Sequence, residues 1–356
     1  MSRQPASPDS AAARQAWRVG TAGYLCASLL WGLNLPLSAA LLQHFDPFWV
    51  SPLRYVLATL LLGSLLAATL GPGQLRSPIP LWRVAVLSLC VAGFLVLYNL
   101  GLYRTHPVTV AALSAGSPVY VAVVARLMTG ARLERGFWGA TALTLLGAGI
   151  AISGRARAGM PAGGLRAEVV GGVVGGVADG VVGGVVDATA HVAANGMAMG
   201  LLGGELLVVL AICSWTVYSI LAQRWFTPGT PQLQRTYLTT IGALPWLLLF
   251  WAAARATGLV GEPNLTPAPG PALQLVMAAV FCTALATVAW NTGVAHLGIQ
   301  TGGMWQNMVP VFAVLIALLF FGVAPLPEQW IGGAVVLAGV LYLQWQRLRP
   351  GELQVR

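Results

Sequence analysis

Residues 282–322 read CTALATVAWNTGVAHLGIQTGGMWQNMVPVFAVLIALLFFG, two apolar segments joined by a short polar break. Slid back by 192 positions, from 282 to 90, the stretch lies without a gap on residues 90–130. Cys282 then falls on Cys90, Asn291 on Asn99, Gly293 on Gly101, Thr301 on Thr109, Pro310 on Pro118 and Gly322 on Gly130. Self-similarity at a fixed shift marks a chain built from copies of one unit, and it sets the architecture before any single helix is read.

Composition says in which solvent those copies fold. Of the 356 residues 57% are hydrophobic and 8% charged, and the mean hydropathy is +0.76, whereas a soluble domain carries about a quarter charged residues. The chain reads as an integral membrane protein. A helix needs roughly 20 apolar residues to cross a bilayer, while a membrane barrel would show alternating strands of about 10. The apolar runs here, 19–43, 47–70, 81–103, 107–128 and 137–153, then 201–223, 233–254, 272–295, 300–321 and 329–345, are of the first kind. They predict an all-α fold of ten transmembrane helices: a tail over 1–18, a five-helix unit over 19–153, a linker over 154–199, a second five-helix unit over 200–346 and a tail over 347–356. The first run exceeds the 7–15 residues of a signal-peptide core and is kept as a helix. The linker contains EVVGGVVGGVADGVVGGVVDATAHV, whose Asp179 and Asp187 would be costly at mid-bilayer and whose glycines disfavour a helix.

The net charge of +9 comes from arginine without lysine. Nucleic-acid binding would want that charge clustered on a polar domain, but here it sits mostly at the ends of apolar runs. With both termini cytoplasmic, twelve arginines lie inside against five outside (Arg104, Arg155, Arg157, Arg166 and Arg255), as the positive-inside rule requires. Five helices per half then force the two copies to insert in opposite senses, a common transporter construction with its substrate site near the midplane. Cys26, Cys90, Cys213 and Cys282 all lie in apolar runs and read as small hydrophobes. The scattered histidines assemble no metal or catalytic set, so neither a cofactor nor an enzyme is expected. The expected partners are the lipid bilayer and a small-molecule substrate, with no nucleic acid; a homodimer is left open.

Several polar residues fall inside the runs. Tyr98 and Asn99 in the third helix match Trp290 and Asn291 in the eighth, and each asparagine is either interhelical glue or a substrate contact. In the ninth, GGMWQNMVP puts Trp305, Gln306 and Asn307 ahead of Pro310, which lacks the N–H that would close the preceding turn. The copy has Ser114 and Ala115 where Gln306 and Asn307 stand, so an amide grip should lean toward the ninth helix. Trp31 and Asn34 in the first helix occupy the place that Trp215 and Tyr218 take in the sixth, either shaping a pocket or filling the core. Arg54, inside the second run, either meets a substrate carboxylate or snorkels to the headgroups. No Asp or Glu lies in the middle of a run, so a buried carboxylate proton carrier is missing and facilitation or exchange stands beside proton coupling.

The pattern resembles the drug/metabolite transporter superfamily, specifically its EamA-type ten-helix carriers. The resemblance rests on Trp31, Gly32 and Asn34, on Leu53, Arg54 and Tyr55, on Asn99 with Gly101 and on Ser117 with Pro118. In the second half it rests on Trp215, Asn291, Gly293, Val309 and Pro310, and on residues 329–332 opening the last helix. Ala131 and Val323 depart from the glutamates that members often carry there, and the linker is unusually long. The resemblance implies export or exchange of small metabolites, such as amino acids, across a bacterial inner membrane by alternating access. The pocket would lie between the halves, lined by the first, third, fourth, sixth, eighth and ninth helices. A non-transporting scaffold or sensor on the same fold is the alternative.

Overall fold

The structure, a computed structural model, describes residues 11–41, 44–104, 110, 113–130, 133, 136–157, 204–227, 229–321 and 326–348. Most of the Gly/Val-rich linker, both chain ends and positions 131 and 323 lie outside these residues. Among the described residues the secondary structure is helical, without a strand.

The helices are α1 (Ala11–Leu41), α2 (Pro47–Leu70), α3 (Leu81–Arg104), α4 (Ser117–Thr129), α5 (Phe137–Arg157), α6 (Gly204–Trp225) and α7 (Gln232–Ala256). Then come α8 (Pro269–Leu297), α9 in two pieces (Ile299–Gln306 and Val309–Phe321) and α10 (Pro327–Leu348). The first helix begins at Ala11, so part of the expected tail is helical, and α5 runs four residues past Ser153. Six helices, α2, α3 and α6 to α9, are long and apolar enough to cross a membrane, and α4 and α5 are shorter apolar helices. Leu60, Leu127, Leu319 and Phe320 stand exposed on the outside, the inverse of a water-soluble surface.

Local chemistry sets the ends and the breaks. Asp46 caps α2, its carboxylate accepting from the N–H groups of Phe48 at 2.8 Å and Trp49 at 3.1 Å. The turn at Asn307–Met308 divides α9 just ahead of Val309 and Pro310, and α4 starts after a turn at Gly116, just ahead of Ser117 and Pro118. Both copies thus break at the same place, because neither Pro310 nor Pro118 can supply a helical N–H.

Packing links the first half to the second. The pairs α1·α8 and α6·α3, α1·α9 and α6·α4, and α2·α8 and α7·α3 are all in contact, as are α2·α7, α4·α9 and α5·α10. Adding five to each helix number, and wrapping past ten, maps this set of pairs onto itself. Glycines make the close approaches. A Cβ at Gly293 would stand 2.5 Å from the Tyr24 ring of α1, and one at Gly101, its repeat counterpart, 3.0 Å from the Gly204 carbonyl of α6. Two equivalent pairs, α2 with α7 and α5 with α10, run antiparallel. Phe48 and Trp49 of α2 meet Phe250 and Trp251 of α7, with ring centroids 5.3 and 4.5 Å apart, while Gly63 faces Tyr237. Gly147 of α5 faces Gly332 of α10, and Ala140 faces Gly339.

Candidate functional site

A cavity of about 350 Å³ lies between the halves, within the range usual for small-molecule sites. It is lined by α1 from Trp31 to Leu41, by α2 from Val50 to Tyr55, by α3 from Phe94 to Asn99 and by α9 from Gln306 to Val314. It therefore occupies the half of the bundle nearer the α1–α2 turn. The other half is filled. There the Tyr24 hydroxyl donates to the Gly298 carbonyl at 2.6 Å, the Ser28 hydroxyl to the Trp305 carbonyl at 2.9 Å, and the Trp290 indole to Ser219 Oγ at 3.2 Å.

Trp31, Asn34, Arg54, Tyr98, Asn99, Trp215, Gln306 and Asn307 all line the cavity. Tyr218, Trp290, Asn291 and Trp305 do not; they are buried behind it in the closed half. The matched asparagines therefore part company. Asn291 is buried, donating to the Tyr218 hydroxyl at 2.9 Å and to Thr236 Oγ1 at 3.0 Å, which is the glue role. Asn99 stands half-buried in the cavity wall, with no hydrogen-bond partner for its amide among the described residues. The α9 amides also differ. Asn307 Nδ2 donates at 3.2 Å to the carbonyl of Ala115, its own repeat counterpart, while the Gln306 amide has no partner among the described residues. Of the two amides on α9, Gln306 is thus the one without a protein partner among the described residues.

Arg54 turns into the bundle and does not reach for the headgroups. Its Nε donates to Thr283 Oγ1 at 3.1 Å, while Nη1 and Nη2 have no hydrogen bond or ion pair among the described residues. Thr283 is placed by a π-helical segment, Ala278–Leu285, in which its hydroxyl also donates to the Ala278 carbonyl five residues back, at 3.3 Å. The copy of this segment in α3 is α-helical. Also in the cavity wall, Trp31 and Trp215 meet edge to face with centroids 5.8 Å apart, and Phe94 lies 5.3 Å from Trp215.

Other lining residues were not singled out from the sequence. Ser38 and Ser51 are lone hydroxyls in apolar runs, Thr283 depends on the π segment, and Gln329, Gly332 and Gly333 bring α10 into the wall. Gln329 was legible as part of the motif opening the last helix, though not as a cavity residue. The lining also extends to α2, α5 and α10, beyond the six helices expected. Among the described residues no group of three or more His, Cys, Asp or Glu could hold a metal ion.

A helical bundle with an apolar exterior and a cavity shared by two repeated halves is the architecture of a multi-pass membrane protein. The EamA-like transporter family matches the chain twice, over residues 19–153 and again over 202–345. The chain belongs to that family. It is 27% identical over 139 residues to an uncharacterized transporter, YyaM, of Bacillus subtilis (strain 168), covering 39% of this chain and 44% of that one. It is 31% identical over 169 residues to a probable biotin transporter of Pseudomonas aeruginosa PAO1, covering 46% of this chain and 54% of the relative. The chain thus spans about half the length of the curated relatives it matches. A crystal structure of a protein with 19% identity superposes with a TM-score of 0.66 over 92% of this chain and 96% of that one, a likeness of fold.

Proposed function

We propose that the chain is a secondary transporter of small metabolites across a bacterial inner membrane, working by alternating access as an exporter, exchanger or facilitator. Its ten helices form two five-helix repeats, 19–153 and 200–346, inserted in opposite senses with both termini cytoplasmic. Three observations support the inversion: the antiparallel course of α2 and α7, that of α5 and α10, and that of α4 and α9, where Asn307 meets Ala115 while Gly303 meets Pro118 and Val121. The observation that carries the function is the cavity between the copies at the breaks in α4 and α9, since broken helices at the repeat interface are where inverted-repeat transporters hold their cargo. Trp31, Asn34, Arg54, Tyr98, Asn99, Trp215, Gln306 and Asn307 contact the substrate, and Tyr218, Trp290, Asn291 and Trp305 brace the closed end behind it. The relative named as a probable biotin transporter is in keeping with a small organic cargo.

The test is flux in proteoliposomes, using a compound found by an uptake and efflux screen in cells expressing the protein. Replacing both Asn99 and Gln306 by leucine should lower flux about tenfold or more while the protein still inserts. A scaffold or sensor would carry nothing and keep its phenotype with both changes. Flux that persists without a pH gradient marks a facilitator or exchanger, and strict dependence on the gradient marks proton coupling.

A further inference from the structure

Arg54 is the one charged residue among the described residues lining the cavity, which contain no Asp, Glu, His or Lys. A guanidinium inside a bilayer-spanning bundle without a carboxylate partner is costly, and here it is held in one orientation. Thr283 Oγ1 takes the Nε–H at 3.1 Å, leaving the two terminal nitrogens, a fork matched to the two oxygens of a carboxylate, without a partner among the described residues. The same wall carries aromatic rings: Trp31 and Phe94, each in contact with Trp215. The Trp215 indole nitrogen and the Ser117 hydroxyl, on side chains 6% and 4% exposed, have no hydrogen-bond partner among the described residues.

We infer that this cavity selects an organic monoanion: a carboxylate seated on Arg54 and an apolar or aromatic body against Trp31, Phe94 and Trp215, without an ammonium group. This deepens the transport reading of the same cavity and rests on it. The exclusion of ammonium follows from the charge of the site. A monocarboxylate brings the loaded cavity to neutrality, whereas an amino acid leaves it with one net positive charge and sets its ammonium among groups that include no carboxylate. Of the small metabolites that the fold admits, α-amino acids are therefore the poorer cargo.

Three compounds with one body separate the charges: 3-phenylpropionate has the carboxylate alone, phenylalanine carries carboxylate and ammonium, and phenethylamine the ammonium alone. Binding to the full-length protein in detergent can be read by calorimetry, with tryptophan fluorescence as a second signal from Trp31 and Trp215. The expected order is 3-phenylpropionate tighter than phenylalanine by about tenfold or more, with phenethylamine not bound. Arg54→Gln should abolish the preference, and Arg54→Lys should keep part of it. Should Arg54→Gln fail to fold, the three-way comparison on the unaltered protein still decides. Equal or tighter binding of phenylalanine or phenethylamine, binding of none of the three by folded protein, or an Arg54→Gln protein that binds 3-phenylpropionate unchanged would each overturn the inference. Flux of 3-phenylpropionate is measured separately in proteoliposomes, so that selective binding without flux counts against transport and not against the monoanion site.

Discussion

Asn99 and Asn291 occupy the same place in the two copies, yet their neighbours give them different work. Asn291 joins Tyr218 of α6 and Thr236 of α7 across three helices. Asn291→Leu removes both bonds, leaving Thr236 only its bond to the Gln232 carbonyl and Tyr218 only Thr239 at 3.5 Å among the described residues, and it should lower stability by about 1–2 kcal/mol, read as a fall in melting temperature in detergent. Asn99→Leu replaces an amide with no protein partner among the described residues and should leave the melting temperature within about 1 °C, because a site without native hydrogen bonds loses little, while flux falls. Equal melting shifts for the two variants would contradict this division. The difference was not legible in the sequence, where the two asparagines fall on matching positions. It depends on α6 and α7, which meet α8 only in the folded chain and present a tyrosine and a threonine there. Arg54 was legible as an oddity from its position alone, but its direction waited on Thr283, whose placement needs a π segment that side-chain periodicity does not announce.

Helix by helix, the helix ends lie within four residues of the apolar runs except at the starts of α1 and α4, and the prolines marked both breaks. The closeness of helix pairs came from glycine positions whose partners lie far along the chain. α5 and α10 touch backbone to backbone: a Cβ at Gly147 would stand 2.6 Å from the Gly332 carbonyl oxygen and 2.7 Å from the Val336 nitrogen. Gly147→Leu should therefore push the pair apart and cost roughly 1–3 kcal/mol or more. At Gly149, two residues on, an added Cβ meets nothing within 4 Å, so Gly149→Leu is the matched control and should melt like the parent. The break in α9 calls for the opposite kind of test. Pro310→Ala restores an N–H one turn beyond the Gln306 carbonyl, favouring a continuous helix through Asn307–Met308. Stability should hold or rise while flux drops, since the straightened helix carries Gln306 away from the cavity; unchanged flux would mean that the break serves packing alone.

Across the whole molecule, the nine helix pairs named above map onto themselves under exchange of the halves while the cavity does not, occupying the half of the bundle nearer the α1–α2 turn. On the alternating-access proposal, the second state is one in which the halves trade roles and the opposite end opens. The closed end is stitched between α6 and α8, by Trp290 on Ser219 and by Asn291 on Tyr218. Ser219→Ala removes the acceptor for the Trp290 indole and should shift the population toward the second state about fivefold, the worth of roughly 1 kcal/mol. Two reporter cysteines read the shift, with a membrane-impermeant maleimide applied to right-side-out or inside-out vesicles of protein whose native cysteines are replaced. Ser38→Cys lies in the cavity wall, and Ser28→Cys lies in the closed half, where the serine is 2% exposed. Adding Ser219→Ala should raise labelling of Ser28→Cys from the face opposite the α1–α2 turn and lower labelling of Ser38→Cys from the face of that turn by a comparable factor. The reciprocity is the decisive part, because a loosened bundle would raise both rates, whereas a transporter that exposes its site to one side at a time must trade one for the other.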